Sequence, residues 1–197
     1  MKTTSIIICG VGGQGILTAS DLLSDLLLAA GHEVKKSEVH GMSQRGGDVI
    51  STVRFGKQVF SPLARRRGCR FILAFEKLEA LRNLPYLDPQ GTMIVNDFKW
   101  YPLPVAVGLD KYPEDIEKNF SQYAAEVVLI PATQLALEAG NEKASNTIML
   151  GVLAARLGID RELWLEVIRK KVPQRFLELN LTAFELGFNF KEASGAD

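Results

Sequence analysis

Cysteine is scarce in this chain. Among its 197 residues only Cys9 and Cys69 carry thiols, and no CxxC pair occurs. Two thiols cannot supply the four ligands of an iron–sulfur cluster or of an all-cysteine zinc site. Any redox chemistry must draw its electron carrier from another chain or from a bound cofactor. The low count fits a reducing, cytoplasmic compartment better than a secreted one. Histidine occurs twice, with no metal-ligand spacing, so no metal site is expected in this chain. There is no net charge: Lys+Arg and Asp+Glu are each 23, which argues against a nucleic-acid binder. Long apolar runs are missing as well. Ile16–Ala30 is interrupted by Asp21 and Asp25, so no membrane span is expected, and Ile6–Cys9 is too short for a signal-peptide core. No internal repeat or low-complexity segment is visible. What remains is ordinary globular composition, 47% hydrophobic and 23% charged, at a length that can bury a core unaided.

The order of patterns points to an α/β fold. Ser5–Cys9 is a short, mostly β-branched run, as expected of a strand buried on both faces. Gln14–Ala30 has helical spacing and stops at Gly31. Further strands are expected at Glu33–Val39, Asp48–Phe55, Phe71–Phe75, Thr92–Val95 and Val127–Ile130. Helices are expected at Glu76–Leu84 and from Pro131 through Ala139. The segment from Leu84 to Pro113 is proline-rich, and its second half reads as an irregular excursion over the surface. Three helices close the chain: Ser145–Leu157, Asp160–Lys171 with Asp160 as N-cap, and Pro173–Gly187 with Pro173 in its first turn. The expected architecture is Rossmann-like. A doubly wound, mostly parallel sheet carries helices on both faces, with a helical C-terminal part. One domain is expected over residues 1–190, followed by a polar tail at 191–197.

Two loops carry the chemistry. The first is Gly10-Val-Gly12-Gly13-Gln14-Gly15, a GxGxxG between a strand and a helix. Gly10 permits the tight turn, Gly12 lets the main chain approach a phosphate, and Gly15 lets the helix pack close to the strand. Gly13 adds a flexible position and Gln14 an amide. The helix N-terminus offers N–H groups and partial positive charge to an anion. Three readings stand: a turn used only for packing, a site for a phosphate-bearing group, or a dinucleotide site. The acid that ordinary NAD binding requires is poorly placed. Glu33 starts the second strand rather than ending it, and Glu38 lies inside the second motif.

The second loop is Ser37-Glu-Val-His40-Gly41-Met-Ser43-Gln44-Arg45-Gly46-Gly47. Arg45 offers a bidentate fork for phosphate or carboxylate. Gly46 and Gly47 can form a backbone nest. His40 can donate a hydrogen bond or shuttle a proton. Ser43 and Gln44 add neutral donors. In a parallel sheet the end of the second strand lies beside that of the first, which would set the two loops together. The plainer alternatives are a satisfied loop histidine, an Arg45 ion pair with Glu38, with Asp48 or with another subunit, and a solvated or salt-bridged Glu38.

Together, GVGGQG and SEVHGMSQRGG resemble the gamma-type subunit of 2-oxoacid:ferredoxin oxidoreductases, above all the small subunit of the indolepyruvate branch. The resemblance continues through Val49–Phe55 and returns at Lys143–Gly151, which looks like the family's asparagine-bearing helix. It spans nearly the whole chain. Ser43 stands where the family commonly has alanine, and Asp48 where it has a small hydroxyl residue. The resemblance implies oxidative decarboxylation of a 2-oxoacid to an acyl-CoA, with ferredoxin as acceptor. Thiamine diphosphate, magnesium and iron–sulfur clusters are then expected in a large partner subunit, and this chain is inactive alone. His40 and Arg45 become the candidate catalytic residues. Gly10, Gly12, Gly13, Gln14, Gly15, Ser43, Gln44, Gly46, Gly47 and Asn146 become candidate contacts for coenzyme A or for the face of the thiamine site. Asn146 can cap its helix or reach back to the loops.

Smaller features remain. Arg65-Arg66-Arg67 with Arg70 is a basic cluster that reads as a solvated loop or as a docking site for an anionic partner. Cys9 reads as core, whereas Cys69 beside the arginines is a candidate for a lowered pKa. The competing functions are a self-sufficient NAD- or flavin-dependent dehydrogenase and a non-catalytic module that binds coenzyme A or a nucleotide.

Overall fold

The computed structural model describes residues 3–41 and 47–191. Its elements run β1 (Thr4–Val11), α1 (Ile16–Ala29), β2 (Glu33–His40), β3 (Asp48–Gly56), β4 (Cys69–Ala74), α2 (Lys77–Asn83) and β5 (Leu87–Asn96). Then follow α3 (Leu103–Ala106), α4 (Ile116–Tyr123), β6 (Glu126–Ile130), α5 (Ala132–Glu138), α6 (Ser145–Leu157), α7 (Arg161–Lys171) and α8 (Leu177–Phe188). The sheet has six strands in the order β2-β3-β1-β4-β5-β6. β1, β4, β5 and β6 pair in parallel. β3 is antiparallel to both of its neighbours, β1 and β2.

The run of isoleucines in β1 makes it central. Ile6 and Ile8 enter one core with Leu23 and Leu26 of α1 and Ile148 and Val152 of α6. Ile7 and Cys9 enter the other, with Ala80 of α2 and Ile116 and Phe120 of α4. Side chains alternate along a strand, so a run with no polar residue is buried on both sides. The α/β architecture with helices on both faces is therefore as expected. Trp164 of α7 is fully buried against Phe184 of α8, ring centroids 5.8 Å apart. α6 and α8 meet backbone to backbone. A Cβ on Gly151 would come within 2.8 Å of the Phe188 nitrogen, and one on Gly187 within 2.8 Å of the Ile148 carbonyl carbon.

Four details differ from the sequence reading. β2 is not the neighbour of β1, because β2 and β3 form a hairpin and β3 takes the place beside β1. β5 begins at Leu87, which pairs with Cys69 ahead of a register shift that accommodates Pro89 and Gly91. α4 has no counterpart in the expected elements; its signal is the Ile116/Phe120 pair, one helical turn apart and buried. The last helix starts at Leu177, after a 3-10 turn at Gln174–Phe176, because Pro173 is extended (ψ 140°). Asp160 caps α7 as expected, accepting from the Glu162 N–H at 3.1 Å. Lys191 closes the described residues, and the rest of the expected polar tail lies outside them.

Candidate functional site

The site begins where β1 ends. Gly10 sits so tightly that a Cβ would lie 2.9 Å from the Phe75 Cβ and 2.7 Å from the Gln14 Oε1. Gln14 braces the loop with both ends of its amide. Its Oε1 accepts from the Val11 N–H (2.7 Å) and its Nε2 donates to the Phe75 carbonyl (3.1 Å). Asn96 at the end of β5 donates to the same carbonyl (3.2 Å) and to the Thr133 hydroxyl (2.8 Å). An amide ladder thus ties together the ends of the four parallel strands.

Gly15 is the N-cap of α1 in the left-handed region (φ 83°), and the helix has neither a side-chain cap nor an acid in its first turn. The first N–H groups of a helix have no partner inside it, and their dipole attracts an anion. α1 covers one face of the sheet and α2 and α4 the other. The crevice at the ends of β1 and β4 is therefore the switch point at which open α/β sheets bind ligands.

The second loop reaches the same end by another route. The β2–β3 hairpin turns back beside β1, with Val11 opposite Asp48. The Gly12 N–H donates to the Gly47 carbonyl at 2.9 Å, and the Gly41 N–H to the Asp48 carbonyl at 2.9 Å. Gly12 and Gly47 therefore join the two loops. Ser43, Gln44, Arg45 and Gly46 lie outside the described residues.

A cleft of about 970 Å³ opens over the first loop. Gly12–Gly15 and Asn146 line it with Phe98, Trp100, Phe176 and Asn180. Asn146 does not cap α6, whose N-cap is Ala144. It stands against Gly15, where a Cβ would meet its Nδ2 at 2.8 Å. Two of the acids of the wall are paired, Asp25 with Lys171 (2.6 Å) and Asp21 with Lys36.

One buried group was not visible as a site in the sequence. The Glu76 side chain accepts from the Glu79 N–H (2.9 Å) as N-cap of α2, and from the Trp100 N–H (3.1 Å) and the Tyr112 hydroxyl (2.6 Å). Beside it Lys77, also buried, pairs with Glu117 (2.7 Å) and Asp97. Burial acts to lower the Lys77 pKa, but the bonds to Asp97 and Glu117 prevail and raise it. Burial pushes the Glu79 carboxyl upward, against the opposing pull of Arg82. Two acids and a lysine within four residues at the end of a buried strand were the available signal, read simply as a helix start.

Comparison with known proteins agrees with this geometry. The family model for pyruvate ferredoxin/flavodoxin oxidoreductase matches residues 5–190. The chain belongs to this family. It is 41% identical over 192 residues to indolepyruvate oxidoreductase subunit IorB of Thermococcus kodakarensis, covering 95% of each chain. It superposes with a TM-score of 0.72 at 21% identity on the pyruvate oxidoreductase subunit PORC of Thermotoga maritima, covering 95% of this chain and 96% of that one. A TM-score of 0.72 at 22% identity relates it to the 2-oxoglutarate:ferredoxin oxidoreductase of Magnetococcus marinus, whose structure holds 2-oxoglutarate, coenzyme A and succinyl-CoA. That match covers 99% of this chain and 32% of the longer one.

In this family member the remaining candidates fall outside the cleft. His40 is exposed at the end of the outer strand β2 and does not line it. Glu38 pairs with Lys36 at 2.6 Å on β2, a full strand away from β1. The ribose-binding acid of a dinucleotide fold ends the strand next to β1, so the NAD reading loses its acid. Arg65, Arg66, Arg67 and Arg70 are exposed, with no ion pair among the described residues. Arg70 instead donates to the Gln90 carbonyl and lies over the Phe71 ring. The lowered pKa considered for Cys69 is not what the structure gives. Burial pushes its thiol up to about 12, outweighing the nearby Arg54. Cys9 is fully buried and raised for the same reason. No helix among the described residues is long and apolar enough to cross a membrane.

Proposed function

We propose that this chain is the small subunit of a 2-oxoacid:ferredoxin oxidoreductase that acts on an aryl pyruvate such as indolepyruvate. The observation that carries this reading is the joining of the two loops, Gly12 N–H to Gly47 carbonyl, at the switch point of a sheet that matches the family along its whole length. Both cysteines are buried and unpaired in the core. The electron carriers therefore reside in a large partner, with ferredoxin as the acceptor. Thiamine diphosphate, magnesium and iron–sulfur clusters in that partner supply decarboxylation and electron transfer.

The residues of this chain hold coenzyme A. The uncapped N-terminus of α1 and the backbone at Gly12, Gly13 and Gly15 receive its phosphates. Gln14 keeps that backbone in place, and Asn146 borders the loop from α6. Arg45, Ser43 and Gln44 supply a cation and neutral donors suited to phosphate or to the thiamine face, whereas His40, which does not line the cleft, takes no part in holding the coenzyme.

The test is reconstitution. The chain alone should contain no iron and show no turnover. Co-expressed with a large thiamine-bearing subunit, it should restore oxidation of indolepyruvate dependent on coenzyme A and ferredoxin. In that complex Gly15→Ala should raise KM for coenzyme A at least tenfold, because the new methyl group meets Asn146 and the backbone resists φ 83°. NAD reduction by the isolated chain, or full activity of the large subunit without it, would overturn the reading.

A further inference from the structure

The segment from Asp97 to Pro113 leaves much of its apolar surface exposed, yet it carries part of the cleft wall. Leu103, Val107 and Leu109 along it are exposed. Phe98 and Trp100 nevertheless line the same cleft as the glycine loop. Trp100 is 48% exposed, with Phe98 alongside at 6.4 Å between ring centroids.

Beyond the Asp97 N–H bond to the Ile130 carbonyl (2.8 Å), the segment is held by the first turn of α2. The Lys77 N–H donates to the Phe98 carbonyl at 3.1 Å. One oxygen of the Glu76 side chain, Oε1, takes both the Trp100 N–H and the Tyr112 hydroxyl, and so grips the segment near its two ends. The other, Oε2, caps α2. Glu76 is 1% exposed, so solvent does not compete for these bonds.

We propose that Trp100 is the aromatic wall on which the adenine ring of the coenzyme stacks, and that Glu76 is the positioning residue that holds it there. The proposal rests on the reading of the cleft as a coenzyme A site. The chemistry is complementary. The cleft is lined both by an anion-receptive helix end and by a half-exposed indole. A coenzyme with phosphates at one end of its nucleotide and a flat purine at the other fits this pair, since stacking on an indole needs only a π-face.

The decisive experiment compares coenzyme A with 4′-phosphopantetheine, which lacks the adenine nucleotide, as ligands of the full complex by equilibrium dialysis. Trp100→Ala should weaken coenzyme A binding about tenfold, Trp100→Phe much less, and neither should change phosphopantetheine binding. Steady-state kinetics should show KM for coenzyme A rising while KM for the 2-oxoacid stays constant.

Glu76→Ala should reproduce the coenzyme A defect. Glu76→Gln, which keeps an acceptor oxygen for Trp100 and Tyr112, should restore most of the affinity. Tyr112→Phe removes one grip without touching the cap of α2, and serves if Glu76→Ala does not fold. In the isolated full chain Trp100 and the fully buried Trp164 are the only tryptophans. Acrylamide quenching therefore reports Trp100, and it should increase in Glu76→Ala and Tyr112→Phe.

Equal losses for both ligands in Trp100→Ala would overturn the stacking. Unchanged quenching and affinity in Glu76→Ala and Tyr112→Phe would overturn the positioning role. Failure of the wild-type complex to bind coenzyme A by dialysis would remove the underlying reading, and the proposal with it.

Discussion

Replacing Gly187 by alanine should destabilise the chain, although alanine is the better helix former. In isolation the exchange favours the helix by about 1 kcal/mol. At this position, however, the new methyl group would lie 2.8 Å from the Ile148 carbonyl carbon and 3.1 Å from the Gly151 Cα. Both neighbours are backbone and cannot rotate away, so α6 and α8 must part. Overpacking of this kind costs about 1–3 kcal/mol, and a rigid neighbour puts it in the upper half of that range. Subtracting the propensity gain leaves a net loss of about 1–2 kcal/mol. For a domain of this size, that lowers Tm by about 2–8 °C. Thermal unfolding followed by circular dichroism reads the shift directly. Gly151→Ala should behave alike, and the double variant should lose less than the sum, because both methyl groups enter one gap. A Tm equal to or above wild type would show that propensity decides and that the glycine crossing is not what holds α6 and α8 together.

Three further outcomes are expected. Cys69, with its thiol near 12, should be about one part in ten thousand thiolate at pH 8, so a disulfide reagent should label neither cysteine until the chain unfolds; rapid labelling of the native protein would contradict this. Asp160→Ala removes the α7 cap and should cost about 1 kcal/mol, seen as a lower denaturation midpoint at unchanged slope. The Glu79 carboxyl is raised in the folded state, so its contribution to stability is fully present below the unfolded carboxylate pKa and is lost as pH rises through the folded value. The Tm of Glu79→Gln relative to wild type should therefore increase between pH 4 and the raised pKa and level off above it, and a difference that shrinks over that range would refute the assignment.

The first loop was legible because its signals are local. A β-branched run, a set of glycines and a helical repeat specify strand, turn and helix within about 25 residues. The same holds for Asp160, whose cap acts on its own helix. Other features depend on residues far apart in the chain. Cys69 beside Arg65–Arg67 was a candidate for a lowered pKa, but strand pairing buries it in the core with Ile72, Leu84 and Leu87, and burial outweighs the neighbouring charge. Asn146 showed only that a helix carried an amide near its start. Packing of α6 against the loop set that amide beside Gly15.

The sequence by itself determined the parts of the cleft: the β1 run, the glycine loop, the polar second loop and the helices that follow. These depend on backbone geometry and hydrophobic periodicity, which act between near neighbours. Tertiary structure alone decided how the parts meet. The second loop arrives beside the first through an antiparallel hairpin rather than a parallel neighbour, because β3 pairs with β1 as well as with β2, and its pairing with β1 joins residues roughly 40 to 50 positions apart, which local signals do not specify. The grip of Glu76 on Trp100 and Tyr112, across 24 and 36 positions, exists only after β4 and β5 have paired and buried that carboxylate.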